Sequence, residues 1–520
     1  MREEALLAAF LSVVGATSLW AVSARRFHAR DTLPSLEGWA LADRSLGTLW
    51  TWLLLGGTVF TAYTFAAVPG LVYGDGASGF FALPYTVIVW PLAFVLLPRL
   101  WAMARAHGHI TVADVVRGRY GSPSLALAVA LTGILATLPY LALQLVGLRA
   151  VLTVSGLYPR GPTGDLALIA LFAVPALASY RYGLRAPTVI SALKGILVFC
   201  SAFAVMALVL GRLGGPGPMF DAAALHLAER AAPDAALVPG PHQQGAYATL
   251  ALGSALALLM YPHVLTAGFA ASSAGTLRRA SVALPAWTAV LALFGLLGVA
   301  ALAAGIHTPP GRAEEAVPLL VGSFLPALLA GLVLGALAVG ALVPAAVMSI
   351  AAASLFVRNV YVEYVQPTAT PKRQVRIARV VSLVVKVAAV AFAVGLRDQD
   401  AINLQLLGGV WILQVFPAVA GGLLTRRLHE RALLAGWGTG MVAGTTLVVG
   451  HGFSSVVPLP FGGRELEVYT GLAAFLLNVA VAVVLTTVFD RLGPPRGAAT
   501  TALPQRPAAG RRTTRGTSSP

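Results

Sequence analysis

Apolar residues in this chain occur in long runs, separated by shorter segments that are charged or rich in proline and glycine. A run of about 18 apolar residues or more is typical of a helix that crosses a bilayer, and many of these runs are that long. The pattern predicts an all-α membrane protein with thirteen transmembrane helices. Their predicted ranges are 5–24, 48–72, 79–98, 125–154, 166–180, 188–211, 247–270, 280–304, 326–357, 380–396, 402–424, 432–450 and 468–489.

The composition excludes a water-soluble enzyme. Hydrophobic residues make up 58% of the 520 residues and charged residues 11%, whereas soluble proteins carry about 25% charged residues. The single cysteine, Cys200, can form neither an internal disulfide nor a cysteine-based metal site. Packing within lipid must therefore hold the fold together.

The distribution of basic residues predicts the orientation. With the N-terminus outside, 26 of the 36 Lys and Arg residues fall on cytoplasmic segments, seven on outer segments and three within helices. Cytoplasmic loops of membrane proteins carry this excess, so we predict an N-out/C-in topology. The net charge of +16 is thereby explained without nucleic acid as a partner.

Two of the predicted helices carry signs of interruption. The second contains Gly56-Gly57, three threonines and Val68-Pro69-Gly70, and the seventh contains Tyr261-Pro262-His263. Unwound backbone at the membrane midplane supplies free N–H and C=O groups, which transporters use to bind substrate. The two helices are five apart, which predicts an inverted repeat of helices two to six and seven to eleven. Alternatively, these residues only allow close packing and kinks.

The ionisable residues favour an anionic substrate. Every Asp and Glu lies outside the predicted helices, whereas Lys194 and Lys386 lie several turns inside them. Lysines at such depth are functional candidates by default, because burying a charge in lipid is costly. The alternatives are that Lys194 extends toward the cytoplasm and that Lys386 fixes neighbouring helices.

Several segments resemble, in order, the motifs of the sodium:solute symporter family. They are Asp31–Gly47, Tyr180–Ala186, Pro262-His263, Ala345–Ser349, Phe416-Pro417 and Gly436–Gly440. The resemblance covers about residues 31–450. It implies a LeuT-type 5+5 inverted repeat with extra flanking helices, in agreement with the thirteen helices predicted above.

On this basis we divide the chain into four parts. Residues 1–47 form an N-terminal helix and cytoplasmic loop, and residues 48–424 form the transporter core, with halves 48–211 and 247–424. Residues 425–490 form two additional transmembrane helices, and residues 491–520 form a disordered basic tail.

Two segments, Thr61–Phe65 and Ser349–Asn359, are most similar to the monocarboxylate permease subgroup. This similarity implies import of lactate, pyruvate, acetate or propionate by alternating access across a bacterial plasma (inner) membrane. The candidate substrate-binding residues are Thr58, Thr61, Tyr63, Thr64 and His263. The threonines alternatively bond back to their own helix, and His263 alternatively serves packing.

The family's sodium site is altered in this chain. The resemblance implies ligands from the Gly57 and Phe60 carbonyls and from Ala346 and Ser349, but the next position is Ile350, which offers no oxygen. Where the family has an Asp and a Gln, this chain has Ser191 and Lys194. We therefore expect Lys194 to replace the ion. The alternative is that sodium still binds through Ser349, backbone oxygens and water.

Three functions, and a channel in place of a carrier, remain open on the sequence. The first is a monocarboxylate importer that is proton-coupled or sodium-independent, with no cofactor beyond a sodium ion or proton as coupling ion. The second is a sodium-coupled symporter of another small solute, such as an amino acid or a sugar. The third is a transporter-like nutrient receptor, for which the 30-residue tail is short. Membrane lipid is the other expected partner, and the oligomeric state is left open.

Overall fold

A computed structural model describes residues 2–22, 35–158, 162–230, 235–395, 401–425, 427–461 and 464–492. Its first ten helices are α1 (Arg2–Val22), α2 (Leu36–Leu41), α3 (Thr48–Val59), α4 (Val68–Asp75), α5 (Ala82–Ala106), α6 (Val112–Tyr120), α7 (Pro123–Val154), α8 (Pro162–Tyr182), α9 (Arg185–Leu213) and α10 (Pro216–Ala228). The tail beyond residue 492, predicted to be disordered, lies outside the described residues.

The second part of the chain is also mainly helical. Its helices are α11 (Gln243–Met260), α12 (Pro262–Phe269), α13 (Ala274–Ala283), α14 (Pro285–Ala303), α15 (Ala316–Phe324), α16 (Ala327–Phe356), α17 (Pro371–Gly395), α18 (Ala401–Ile412), α19 (Phe416–Leu424), α20 (Glu430–Gly450) and α21 (Thr470–Leu492). Short 3-10 or π-helical turns cover Ala42–Arg44, Tyr63–Ala67, Ala77–Phe81, Ala313–Glu315, Val357–Val365 and Leu413–Val415. Strands β1 (Val456–Phe461) and β2 (Arg464–Tyr469) form one antiparallel hairpin.

The helical membrane fold predicted from the apolar runs is confirmed. Nine helices of the described residues are long and apolar enough to cross a bilayer, and two bent pairs bring the number to eleven. The two further predicted crossings coincide with α8 and α17. Thirteen crossings and the N-out/C-in orientation remain predictions.

Both predicted interruptions are present. Helix α3 and the segment Tyr63–Asp75 bend by 49° at their junction, and α11 and α12 bend by 50° at Tyr261. The second break has a local cause, because the residue before a proline is disfavoured in helical conformation and Pro262 has no N–H to donate. Tyr261 accordingly adopts an extended conformation, with φ −60° and ψ 130°.

The hairpin corrects the all-α prediction in one place. Strand β1 contains Pro458 and Pro460, which argue against a strand in sequence patterns, yet in a two-stranded hairpin every strand is an edge and tolerates them. Its end is anchored to the helices. The Tyr469 hydroxyl donates to the Leu406 carbonyl of α18 at 2.9 Å, and Thr249 Oγ1 of α11 accepts from the Tyr469 N–H at 3.0 Å.

Candidate transport site

The interrupted helices pack against each other in the centre of the fold, where α12 contacts α3. Tyr140 of α7 joins the two breaks. Its hydroxyl lies within hydrogen-bonding range of the Thr61 side chain, and its ring lies 5.0 Å from Tyr261 and 5.3 Å from His263 between centroids. The two interruptions therefore form one central region.

Lys194 lies at the first break. Its side chain is fully buried in α9, and its Nζ donates to three backbone carbonyls. These belong to Gly57 at 2.7 Å, to Gly340 at 2.9 Å and to Phe60. The side chain thus points into the broken helix and not toward the cytoplasm.

Each of these carbonyls lacks an N–H partner in its own helix for a physical reason. The helix ends after Val59, so the Gly57 and Phe60 carbonyls lose the partners that a continuing helix would supply. The Gly340 carbonyl lies four residues before Pro344 in α16, and proline has no N–H with which to bond it. Three free acceptors consequently surround one amino group.

The acceptors around Lys194 match the donors of an ammonium group. An ammonium carries three N–H donors, whereas a neutral amine carries only two. Three accepting carbonyls around Nζ therefore correspond to the protonated form. Because a buried charge must be compensated, the carbonyl dipoles replace the carboxylate partner that such a lysine usually needs.

The hydroxyl groups of the other predicted cation ligands bond to their own helices, although Ser191 Oγ lies close to Gly57. Ser349 Oγ donates to the Ala346 carbonyl of its own helix at 2.9 Å, and Ser191 Oγ donates to the Pro187 carbonyl at 2.7 Å. Ile350 is completely buried and aliphatic. Ala346 lies six residues after Gly340, which is about 9 Å along a helix.

The described residues therefore do not fit a sodium ion in the family's manner. The Gly57 and Phe60 oxygens that would bind the ion already accept from Lys194. A sodium ion about 4 Å from the ammonium would be repelled by about 4 kcal/mol at an effective dielectric constant near 20.

A small cavity adjoins the first break. It measures about 10 Å³ as space open to the centre of a water molecule, which is room for about one water. Its lining residues are uncharged and mostly aromatic or hydroxylated: Val59, Phe60, Tyr63, Thr64, Tyr85, Thr86, Trp90, Trp287, Thr288 and Leu291. Phe60 is shared, since it lines the cavity and supplies a carbonyl to Lys194.

The predicted substrate contacts divide into three groups. Tyr63 and Thr64 line the cavity, and the Tyr63 hydroxyl is buried without a hydrogen-bond partner among the described residues. Thr58 Oγ1 donates to the Leu55 carbonyl at 2.8 Å, so it bonds back to its own helix. Thr61 Oγ1 accepts from the Tyr63 N–H at 3.0 Å and thereby caps the second half of the broken helix.

His263 lies at the second break and is fully buried. Its ring packs 5.3 Å from both Tyr140 and Tyr261, and neither of its nitrogens has a partner among the described residues. The residue does not line the small cavity. Its unpartnered nitrogens nevertheless mark it as a polar group of the central region.

Sequence reasoning missed Trp287. A Cβ built on Gly56 would lie 2.0 Å from Trp287 Nε1, so only a glycine at this position allows the indole to pack this closely against the broken helix. The centroids of the Trp287 and Phe60 rings lie 5.1 Å apart, and Trp287 lines the cavity. The glycine pair in the second predicted helix was the available signal, although it does not say which side chain fills the gap.

Lys386 takes no part in this region. It is 5% exposed, and its Nζ donates to the Ser382 carbonyl of its own helix at 3.3 Å. This bond lies within one helix, so the role of Lys386 in fixing neighbouring helices stays a prediction.

The predicted cytoplasmic side is closed by contacts between the two halves of the core. The Leu46 N–H donates to the Ala270 carbonyl at 3.1 Å, and the Ser272 N–H donates to the Leu46 carbonyl at 2.9 Å. Nearby, Asp114 accepts from Asn359 Nδ2 at 2.8 Å and pairs with Arg358 at 3.4 Å. These contacts link the segment just before α3 to the residues just after α12, and α6 to the π-helical turn that follows α16.

The predicted outer side is open. A cavity of about 900 Å³ lies between the outer ends of the core helices and the β-hairpin, and its lining includes Asp75, His242, Asn403, Glu465 and Glu467. In the predicted N-out orientation, this cavity lies on the side from which an importer receives its substrate.

A pair of buried carboxylates lies on the turn before α15. Glu314 is 3.4 Å from Arg149, and Glu315 pairs with Arg312. Burial raises the pKa of both carboxyls above the ordinary value, although the arginines act in the opposite direction.

The comparisons identify the family. The model of the sodium:solute symporter family matches residues 39–437. The chain belongs to this family. The protein is accordingly a multi-pass membrane transporter of a small solute and not an enzyme.

Two curated relatives cover nearly the whole chain. A monocarboxylate transport permease protein of Rhizobium johnstonii is 44% identical over 490 residues, which is 94% of this chain and 98% of the relative. An uncharacterized symporter of Bacillus subtilis, YodF, is 30% identical over 470 residues, which is 88% of this chain and 89% of the relative.

A solved structure agrees on the fold. A Na+-coupled sialic acid symporter, in a substrate-bound outward-open state, superposes with a TM-score of 0.74 and covers 93% of this chain and 98% of its own. Its sequence identity of 14% limits the comparison to the fold. The LeuT-like architecture expected from the sequence motifs is confirmed.

Proposed function

We propose that this symporter-family transporter imports a small monocarboxylate, such as lactate, pyruvate, acetate or propionate, by alternating access across a bacterial plasma membrane. The observation that carries the proposal is the uncharged aromatic cavity beside a fully buried ammonium. The relative at 44% identity that is named a monocarboxylate permease supports the same substrate class.

In this structure the cavity has room for about one water, so a substrate must push the lining residues apart to enter; the chemistry of that lining suits both ends of the acid. The aromatic rings of its lining offer apolar surface to a short carbon chain, and the free hydroxyl of Tyr63 offers a hydrogen-bond donor to a carboxylate. Hydroxyl groups of Thr64, Thr86 and Thr288 lie on the same wall. None of the lining residues is acidic, so nothing there repels an anion.

Phe60 links the Lys194 ammonium to the cavity, since it contacts both. Phe60 lines the cavity, and its carbonyl accepts from the Lys194 ammonium. Within a dry protein interior an ammonium attracts an anion far more strongly than it would in water. Lys194 therefore favours an anionic solute at this depth without contacting it.

Transport follows from the two ends of the pathway. The acid enters through the outer cavity, is held between Tyr63 and the aromatic wall, and leaves when the contacts at Leu46 and Asp114 separate. His263 and Tyr261 lie at the second break, where the helix can bend. We place the whole cycle in residues 48–424, with residues 425–490 as two flanking helices.

Uptake of labelled lactate by purified protein in liposomes tests the proposal. Unlabelled acetate, propionate and pyruvate are expected to compete, whereas glucose and proline are not. If a sugar or an amino acid competed better than every monocarboxylate, the proposed substrate would be wrong while the family assignment would stand.

A further inference from the structure

We propose that the Lys194 ammonium is the permanent cation of this transporter, so that the protein works without sodium. The inference deepens the transport function proposed above, because it concerns the ion that stabilises the cavity and not the identity of the acid.

The position of the ammonium supports this role. Lys194 belongs to α9 and the carbonyls of Gly57 and Phe60 belong to the broken helix, whereas Gly340 belongs to α16 in the second half of the core. The ammonium therefore ties the interrupted helix to the opposite half of the fold. A metal ion held by backbone oxygens at a helix break performs the same task in transporters.

The ammonium uses the same acceptors that a sodium ion would need. All three N–H groups of the ammonium have acceptors, and two of those acceptors are the oxygens that sodium would need. Ser349 and Ser191 bond to their own helices instead. Charge repulsion at about 4 Å would weaken sodium binding by about a thousandfold.

A charge on a side chain cannot cross the membrane with the substrate. The energy of a sodium gradient therefore cannot reach the substrate through this site. We expect an inward sodium gradient to produce no accumulation of lactate above equilibrium, whereas exchange of labelled for unlabelled lactate continues.

The first experiment measures wild-type protein in liposomes. Replacing sodium by choline at constant pH and membrane potential is expected to change the initial uptake rate by less than about twofold, while loss of sodium binding from a coupled carrier would reduce it by about tenfold or more. A tenfold loss, or accumulation driven by sodium, would overturn the inference.

The second experiment needs no transported substrate. Thermal unfolding of the purified protein is compared in sodium chloride and choline chloride, because an ion that binds only the folded state raises the midpoint. Equal midpoints are expected. A sodium-specific rise would contradict the inference even if the true substrate were not a monocarboxylate, whereas equal midpoints without lactate uptake would count against the substrate alone.

A pair of lysine variants supplies the control. Lys194→Met leaves three buried carbonyls without a donor and is expected to reduce uptake more than tenfold. Lys386→Met removes the other buried lysine, whose Nζ donates within its own helix, and is expected to retain uptake within about threefold. Wild-type uptake by Lys194→Met would overturn the inference.

Discussion

Gly56→Ala tests how the broken helix is packed. The new Cβ would lie 2.0 Å from Trp287 Nε1 and 2.1 Å from Trp287 Cε2, whereas non-bonded carbon atoms prefer about 3.5–4.0 Å. The indole would have to move by about 1.5 Å. It is confined by Phe60, Trp52 and Phe199, whose rings lie 5.1, 5.7 and 5.0 Å away.

Overpacking of this kind costs about 1–3 kcal/mol. The expected results are a lower apparent unfolding temperature of the purified protein and a higher KM for lactate, because Trp287 also lines the cavity. Tryptophan fluorescence during heating measures the first, and uptake into liposomes measures the second. Gly438→Ala is the matched control, since a Cβ there meets nothing within 4 Å.

A second substitution makes the test specific. Trp287→Leu removes the clashing ring, so Gly56→Ala should be less destabilising in that background than in the wild type. If Gly56→Ala matched the control in stability and uptake, the close approach of Trp287 to the broken helix would be refuted.

Three further results are expected. Tyr63→Phe should raise the KM for lactate by about tenfold with little change in stability, because its hydroxyl has no partner among the described residues. Tyr261→Phe should instead lower stability, measured by thermal unfolding, because it loses a 3.0 Å hydrogen bond to the Gln405 carbonyl. Equal KM values for Tyr63→Phe and wild type would refute the contact between Tyr63 and the substrate. Asp114→Asn should weaken the cytoplasmic closure by about 1–3 kcal/mol, because the Asp114 carboxylate accepts from the Asn359 side chain and from two backbone N–H groups. Proteolysis from the cytoplasmic side should be faster than for wild type, and an unchanged rate would count against the closure. The stability of Glu315→Gln relative to wild type should rise between pH 5 and pH 7.5 in thermal unfolding, because a carboxyl whose folded pKa is raised stabilises the protein at low pH and loses that contribution as pH rises. A wild-type protein that gained stability relative to this variant with rising pH would contradict the sign.

Much of the architecture follows from the sequence because lipid imposes simple rules. Apolar runs of the required length became helices, and the Pro262 and Gly56-Gly57 signals located both breaks. The hairpin was missed, because its residues are few and two of them are prolines, which strand patterns exclude. Its stability comes from Tyr469 and its helix contacts, which no local pattern encodes.

The candidate site was only partly predictable. Local bonding decides the role of each threonine, and the sequence could not tell Thr58, which bonds its own helix, from Thr64, which lines the cavity. The place of Lys194 beside Gly57 and Phe60 was expected from the motif comparison, but Gly340 was not. Pro344 was the available signal, since a proline inside a helix releases the carbonyl four residues earlier.

The acceptors around Lys194 are backbone atoms, so the site depends only in part on which residues supply them. Position 60 can change while its carbonyl oxygen stays in place, whereas Gly57 and Gly340 have little room to change, since an added Cβ would lie 3.0 Å from Ser191 Oγ and 3.3 Å from Phe65 Cε1. Among side chains, the arrangement is encoded by a lysine and a proline, Lys194 and Pro344. Sequences of the family can therefore be searched for a lysine and a proline at these two positions, and we expect the chains that carry both residues to form a sodium-independent branch of the family.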